Sequence, residues 1–507
     1  MSDAEALRAQ IMHGPAGPRV GAYFDFDGTL IDGYSAAAFY RHRLGEFEVG
    51  PVEAAQILLI GLRGGTTTEQ FADVLALSLQ GWKGRSEDEL TELGERLFRQ
   101  RIAATVFPEA WRLVQAHRSM GHTVVIASPA TRFQVEPLAR ELGVEHVLCT
   151  PVEVEGDLLT GRVGGPVPFA AGKAEAARAF AAEHYVDLSA SYAYASGDED
   201  VAFLAAVGRP HAVNPQKGLA GVAAERGWPV HNFAGRDRPG VEQVLRTLAA
   251  YGGVFSAFGV GIAVGALNRS RRQAVDLAFS LAGDLGLAAA GIDVQLQGEE
   301  HLYSQRPAVF VLNHQSSLLD ALVVFKLLRG NFTGVAKKEA ADIPVFGQFF
   351  KLAQFAFVDR GNTAQAKRAL APAVERLRAG VSLVIAPEGT RSYTPALGPF
   401  KKGAFHMAMQ ARVPIVPIVI RNAGELMSRD AKTLRPGTIQ VLVHPPIPTA
   451  DWTATDLDHR VRQVRQLFLD TLEHWPASSA SGTEPNTTDT TGQRRPTPTA
   501  RTEEVPG

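Results

Sequence analysis

Residues 247–268, TLAAYGGVFSAFGVGIAVGALN, carry no charge and lie between Arg246 and Arg269. A spanning helix needs roughly 20 apolar residues, so this run is long enough to enter a bilayer, although it is rich in Gly and Ala rather than Leu. Gly261 and Gly265 have the spacing of a small-residue helix contact. A basic turn, Arg269, Arg271 and Arg272, leads into a second apolar run over residues 277–292, broken by Asp284. Two buried helices of a soluble domain read this way, and so does a membrane-associated helical hairpin over 247–294 with its arginines near phosphate headgroups. The hairpin is the expectation carried forward, and it divides the chain in two.

The part before it, residues 20–232, alternates short apolar runs with helical patterns. Residues 20–24, 122–127, 146–149 and 191–195 read as buried strands, and strands separated by long helical spacers are the α/β signature. Residues 35–105 are amphipathic without a strand signal and read as a helical cap over the strand ends. The part after the hairpin, 295–475, repeats the alternation, with strands expected at 308–312, 355–358, 382–386, 415–420 and 439–443. The expected fold class is therefore α/β: two α/β domains, the first a Rossmann-like parallel sheet with a helical cap, joined by the hairpin. Residues 477–507 are Ser, Thr, Pro and Gly with scattered charge, and disorder is expected there. A length of 507 residues fits this division into about three folded parts. The hydrophobic fraction of 45% and net charge of −2 exclude wholesale disorder. They also argue against a nucleic-acid partner, because the basic excess is missing. A single cysteine, Cys149, excludes an internal disulfide framework and a multi-cysteine zinc site. The N-terminus, MSDAEALRAQIMHG, does not read as a secretory signal.

The first expected strand runs into Asp25-Phe26-Asp27-Gly28-Thr29. Two carboxylates at i and i+2 past a buried strand, followed by a Gly turn, suit magnesium-assisted phosphoryl transfer. Asp25 can act as nucleophile, Asp27 can protonate the leaving alkoxide and later activate water, and Mg2+ screens carboxylate from phosphate. A bare DxD is ordinarily a capped loop, but here further parts follow in order: Ser128 in IASPATRFQ, Lys173 in FAAGKAEAA and the acidic run Asp198-Glu199-Asp200. This half resembles the haloacid-dehalogenase-like hydrolases of the phosphoserine-phosphatase-like branch. The resemblance implies phosphate binding by Ser128 and Lys173, with metal ligation by Asp25, Asp27, Asp198 and Asp200. One departure is visible: the register puts Ser196 where the family has its first late acidic residue, with Asp200 at the second and Asp198 close by.

In the second half, a strand leads into Asn313-His314-Gln315-Ser316-Ser317-Leu318-Leu319-Asp320. A histidine titrates near neutrality and can take a proton from a hydroxyl, while an aspartate fixes its tautomer. Three blocks follow: Phe357-Val358-Asp359-Arg360-Gly361, Pro387-Glu388-Gly389-Thr390-Arg391-Ser392 and Val413-Pro414-Ile415-Val416-Pro417-Ile418. Arginines at separate strand ends can clamp a phosphate, and Gly389 lets backbone approach a ligand. This half resembles the lysophosphatidate and glycerol-phosphate acyltransferases. The resemblance implies His314, oriented by Asp320, as base. It implies Arg360 with Glu388, Gly389, Thr390 and Arg391 at the glycerol-phosphate end, and Pro417 shaping the acyl site. Lys337, Lys338 and Glu339 fit the segment before the FVDR block. The family usually places four residues between the His and the Asp, and this chain has five.

The function these readings imply is acylation of 1-acylglycerol 3-phosphate (lysophosphatidate) to phosphatidate. The acyl donor is a thioester of coenzyme A or acyl carrier protein. A magnesium-dependent phosphomonoesterase-like unit stands in front, and the chain is expected at the cell membrane, among its lipids, with both catalytic units facing the cytoplasm. The alternative is a glycerol-3-phosphate or other lysophospholipid acyltransferase carrying a catalytically dead regulatory N-terminal unit.

Overall fold

The computed structural model describes residues 3–46, 49, 68–233, 240–358, 363–429 and 431–476. The tail expected from 477 onward lies outside the described residues, as does part of the expected cap.

In the first unit, α1 (Asp3–Met12) precedes β1 (Gly21–Phe24), which is buried at all four positions. Complete burial suits a strand covered by helices on both faces. The cap contains α2 (Ala36–Gly45), α3 (Thr68–Gln80) and α4 (Glu87–Leu97). Then come α5 (Pro108–Ser119), started by a proline at its first position, β2 (Thr123–Thr131) and α6 (Arg132–Leu142). β3 (His146–Thr150) is followed by an antiparallel hairpin, β4 (Val152–Glu155) and β5 (Leu158–Val163). The unit closes with α7 (Ala171–Glu183), β6 (Tyr192–Ala195), β7 (Arg209–Val213), α8 (Lys217–Arg226) and β8 (Val230–His231). The sheet runs β3-β2-β1-β6-β7-β8 with every pair parallel. The sequence pattern does not announce β7, which opens on Arg209, Pro210 and His211, nor the two-residue β8.

The linking segment is a helix pair, α9 (Val241–Leu267) and α10 (Arg271–Ala290). A side-chain carbon on Gly261 would lie 2.5 Å from the Ala274 carbonyl oxygen, and one on Gly265 would overlap the Ala274 methyl. The two glycines therefore let the helix backbones touch. Among the described residues, α9 alone is long and apolar enough to cross a membrane, and a third of that stretch is buried. Leu245, Leu248 and Ile262 on its outer side are 60%, 63% and 52% exposed.

α10 departs from the hairpin expectation. Its Ala278, Phe279, Ala282 and Gly283 are buried, and Phe279 stacks on Phe325 of α11 (Ser317–Leu328) at 4.1 Å. Asp284, which interrupts its apolar run, pairs with Lys326 at 3.0 Å and with Arg329. Arg271 is spent within the protein rather than on headgroups. Its guanidinium donates to the carbonyls of Leu352 (2.7 Å) and Lys351 (2.9 Å) at the end of α12 (Phe346–Leu352), where orphan carbonyls need donors. α10 is thus a core helix of the second unit, and the lipid expectation narrows to α9.

The second unit is a seven-stranded sheet. Its strands are β9 (Ile292–Gln297), β10 (Val309–Leu312), β11 (Phe332–Lys337), β12 (Ala356–Val358), β13 (Ser382–Ile385), β14 (Ile415–Arg421) and β15 (Gly437–Val443). The order is β12-β11-β13-β10-β14-β15-β9, parallel except between β14 and β15. β9 begins inside the stretch assigned to the hairpin, so the acyltransferase-like sheet starts earlier than 295.

The two units touch along α5, α6 and the loop after β13. Arg112 Nη1 donates to both carboxylate oxygens of Glu425, at 2.8 and 3.0 Å, in α13 (Ala423–Leu426). Thr394 Oγ1 donates to Glu141 at 2.6 Å, and Ala396 packs on the first unit's core.

Candidate active sites

Parallel sheets of this type present ligand-binding residues at the carboxyl ends of their strands. In the first unit that end carries Asp25, which is 4% exposed. Lys173 Nζ, at the start of α7, donates to Asp25 Oδ1 at 2.8 Å and to Asp200 Oδ1 at 2.5 Å. Thr29 Oγ1 donates to Asp25 Oδ2 at 3.0 Å. Burial pushes the Asp25 carboxyl up to about 7, outweighing the pull of Lys173. Burial opposes the charge on Lys173, but Asp200 and Asp25 outweigh it and hold the ammonium charged. Asp27 is pushed up to about 6 by burial, against hydrogen bonds from Ser35, whose N–H donates at 2.6 Å. Ser128 is fully buried in β2, next in the chain after Ala127, and its Oγ accepts the Ala130 N–H at 3.1 Å. Gly28 takes a left-handed φ of +77°, and a side-chain carbon there would press on Ser196 Oγ.

The metal set expected from the resemblance is not brought together. Asp198 turns away: its Oδ1 accepts the Leu219 N–H at 2.7 Å, inside the first turn of α8. Asp200 is taken by Lys173 and by the Gly197 N–H at 3.2 Å. Ser196 Oγ donates to the Asp27 carbonyl at 3.3 Å, so a hydroxyl stands at the position where the resemblance expects a carboxylate. Among the described residues, no group of three or more His, Cys, Asp or Glu side chains is placed to hold a metal ion. The donor set falls short of a magnesium site.

In the second unit, β10 delivers Asn313 and His314 at its carboxyl end. Asn313 locks β10 to β14, exchanging two 2.8 Å hydrogen bonds with the Ile420 backbone. Ser316 is extended (φ −138°, ψ 124°), and helix begins only at Ser317. The extended turn absorbs the additional residue between His314 and Asp320. Asp320, in the first turn of α11, folds back and accepts from His314 Nδ1 at 2.7 Å. The same Oδ2 accepts the N–H groups of Gln315 and Ser316, each at 2.9 Å. This bonding assigns the imidazole proton to Nδ1 and leaves Nε2 as an acceptor.

Glu388 holds the back of this turn. It accepts the His314 N–H at 2.7 Å, the Gly398 N–H at 2.8 Å and the Ser392 hydroxyl at 2.9 Å. Burial raises its carboxyl above the ordinary value, partly opposed by those bonds. The expectation that Glu388 contacts the glycerol-phosphate end is therefore revised: its oxygens are used to shape the loop, and a carboxylate repels phosphate. Ser392 closes the loop by donating its N–H to the His314 carbonyl at 3.0 Å. Gly389 makes the turn at φ +71°, beside Lys401. Thr390 Oγ1 accepts from Arg429 at 3.3 Å, and the Arg391 guanidinium donates to the Arg429 carbonyl. Arg360 lies outside the described residues. Pro417 sits in β14, opposite Val311 of β10. Lys337 ends β11, with Lys338 and Glu339 in the turn after it.

Sequence reasoning passed over Gln315, whose Oε1 accepts the Gly424 N–H at 3.1 Å, and over the backbone role of Ser392. Both flank motif residues, which was the available signal. Ser35, the partner of Asp27, has no signal because it comes from the cap.

Fold and sites together define a chain that joins a hydrolase-type α/β unit to an acyltransferase-type one. The haloacid dehalogenase-like hydrolase family model matches residues 22–205, and the acyltransferase family model matches 293–421. A 1-acyl-sn-glycerol-3-phosphate acyltransferase of Limnanthes alba is 36% identical over 197 residues, covering 39% of this chain and 68% of that protein. An uncharacterized acyltransferase of Schizosaccharomyces pombe is 39% identical over 192 residues, covering 37% of this chain and 68% of the relative. The solved 1-acyl-sn-glycerophosphate (LPA) acyltransferase PlsC of Thermotoga maritima aligns with a TM-score of 0.40 and 23% identity, covering 47% of this chain and 98% of that one. The chain belongs to the acyltransferase family of these relatives, with a haloacid dehalogenase-like unit ahead of the acyltransferase unit.

Proposed function

We propose that the chain acylates 1-acylglycerol 3-phosphate to phosphatidate at a membrane surface. The observation that carries this reading is the 2.7 Å bond between His314 Nδ1 and Asp320, in a turn fastened by Glu388 and Ser392. His314 Nε2 accepts the proton of the lysolipid hydroxyl as that oxygen attacks the thioester carbonyl carbon. The C–O bond forms, the C–S bond breaks, and the departing thiolate recovers the proton from Nε2. Asp320 offsets the positive charge that appears on the imidazole in between. Arg391, with Arg360 from the neighbouring block, is assigned to the glycerol-phosphate end, and Lys401 beside Gly389 adds a third cation. The donor is a thioester of coenzyme A or acyl carrier protein. The exposed apolar side of α9 is assigned to the lipid surface, with both units on its cytoplasmic side.

A second reading concerns the first unit. Lys173 poises Asp25 for phosphate chemistry, yet Ser196 and the turned-away Asp198 weaken any magnesium site. This favours a unit that binds a phosphomonoester and hydrolyses it slowly.

Product analysis tests both readings. Purified protein is incubated with labelled lysophosphatidate, acyl-CoA and magnesium, beside His314→Ala and Asp25→Asn variants and with glycerol 3-phosphate as a competing acceptor. Phosphatidate lost only with His314→Ala supports the main reading. Acylation confined to glycerol 3-phosphate moves the acceptor, and no acylation by folded protein in liposomes refutes the assignment.

A further inference from the structure

Between the two units lies a cleft of about 760 Å3, within the size range of small-molecule sites. One wall is α1, α5 and the end of α6. The other is the loop after Ser392, the end of β14 and α13. Asp25, Asp27, Lys173 and Asp200 do not line it, so it is separate from the first unit's aspartate constellation.

Six arginines and four glutamates line this cleft, and three of the arginines lie close enough to act on one another: Arg8 from α1, Arg112 from α5 and Arg421 from β14. Arg112 is matched by Glu425. Among the described residues, the guanidinium groups of Arg8 and Arg421 have no hydrogen bond or ion pair, and Arg421 lies over the Trp475 ring at 5.5 Å. Burial, and then the nearby charges of Arg8 and Arg112, press Arg421 below its ordinary value, only partly offset by Glu425 and Glu5. A half-buried cation beside two others is costly unless an anion joins them. The cleft also reaches the acyltransferase centre. Gln315 and Ser392 line it, the first adjacent to His314 in the chain and the second bonded to the His314 carbonyl.

We propose that this cleft binds the phosphorylated nucleotide end of a coenzyme A thioester. Arg8 and Arg421 hold its phosphates, and the pantetheine arm runs past Gln315 and Ser392 to His314. The inference rests on the acyl-transfer reading above and adds the identity of the donor. It also makes the first unit part of the donor site, because Arg8 comes from the N-terminal helix.

The test uses the full chain with Arg8→Ala, Arg421→Ala and Arg421→Lys. Free coenzyme A is titrated by calorimetry, and KM is compared for an acyl-CoA and for the matching acyl-pantetheine, which lacks the nucleotide. Each alanine variant should weaken coenzyme A binding and raise KM for acyl-CoA by about ten- to hundredfold. Arg421→Lys should recover part of the loss, and KM for acyl-pantetheine should not move. Adenosine 3′,5′-bisphosphate should compete, whereas inorganic phosphate at equal concentration should not. Unchanged coenzyme A affinity in both alanine variants, equal losses for the two thioesters or equal competition by phosphate overturns the proposal. So does transfer from acyl carrier protein by a chain that does not bind coenzyme A. Coenzyme A binding that depends on Arg8 and Arg421 without any lysolipid acylation would instead leave the cleft standing and remove the functional reading.

Discussion

Replacing Asp320 by Asn isolates the charge that His314 meets. The variant keeps the size of the side chain, and its amide oxygen can still accept from Nδ1 and from the N–H groups of Gln315 and Ser316, all of which converge on one oxygen. What disappears is the negative charge facing the imidazolium formed as the hydroxyl attacks. For charge centres about 4 Å apart at an effective dielectric of about 20, that attraction is about 4 kcal/mol, equivalent to a fall in kcat of about 10³-fold. KM for lysophosphatidate should change little, since Asp320 is buried behind the histidine. Asp320 Oδ1 has no hydrogen-bond partner, so an amide nitrogen placed there is an unsatisfied buried donor costing about 1–3 kcal/mol of stability. The assay is initial-rate acylation of labelled lysophosphatidate in mixed micelles, with thermal unfolding of the same preparation. A variant that keeps more than about a tenth of the wild-type kcat, while His314→Ala is inactive, would refute the argument that Asp320 stabilises the imidazolium.

Four other outcomes follow from the same geometry. In the first unit, hydrolysis through Asp25 and Asp27 needs Asp25 ionised and Asp27 protonated. With values of about 7 and about 6, activity rises with pH through the first group and falls through the second. The productive form is then a minority species that peaks between the two values. A p-nitrophenyl phosphate profile that climbs steadily past pH 8 contradicts this. Ser196→Asp, which restores a carboxylate next to the Asp27 carbonyl, should raise magnesium-dependent hydrolysis at least about tenfold; an unchanged magnesium response rules out Ser196 as the weak point. Gly261→Leu drives a side chain into Ala274 and Ala278 and should cost about 1–3 kcal/mol, read as a lower midpoint in thermal unfolding, whereas the same change at Gly259, where space is open, should not. Leu248→Ser together with Ile262→Ser removes two exposed apolar side chains from α9. It should weaken flotation with anionic vesicles by about tenfold or more, and undiminished flotation would take the lipid contact away from this helix.

The strands that carry chemistry were readable because their buried, mostly apolar runs end in motif residues. β1 before Asp25 and β10 before His314 are both buried at every position. β4, β5, β7, β8, β9 and β11 escaped because polar residues, a glycine or brevity break the apolar run. The two apolar runs of the linker look alike in composition, and only the tertiary partners of Asp284 and Arg271 separate the core helix from the outer one. The His–Asp spacing looked anomalous because spacing counts residues, whereas the extended backbone at Ser316 sets the distance. Glu388 illustrates a different gap: its place in a motif suggested ligand contact, and two donors from its own loop together with the His314 N–H use it instead. The arginines of the cleft had no sequence signal, because residues 8, 112 and 421 become neighbours only when both units are folded.

The outer helix is zipped glycine-to-alanine onto α10, α10 is stacked through Phe279 onto α11, and the first turn of α11 holds the aspartate that steers His314. Each of these contacts is close, and packed interiors transmit strain. A change at the Gly261 or Gly265 seam is therefore two helix contacts away from the aspartate that orients His314, although neither glycine touches the site.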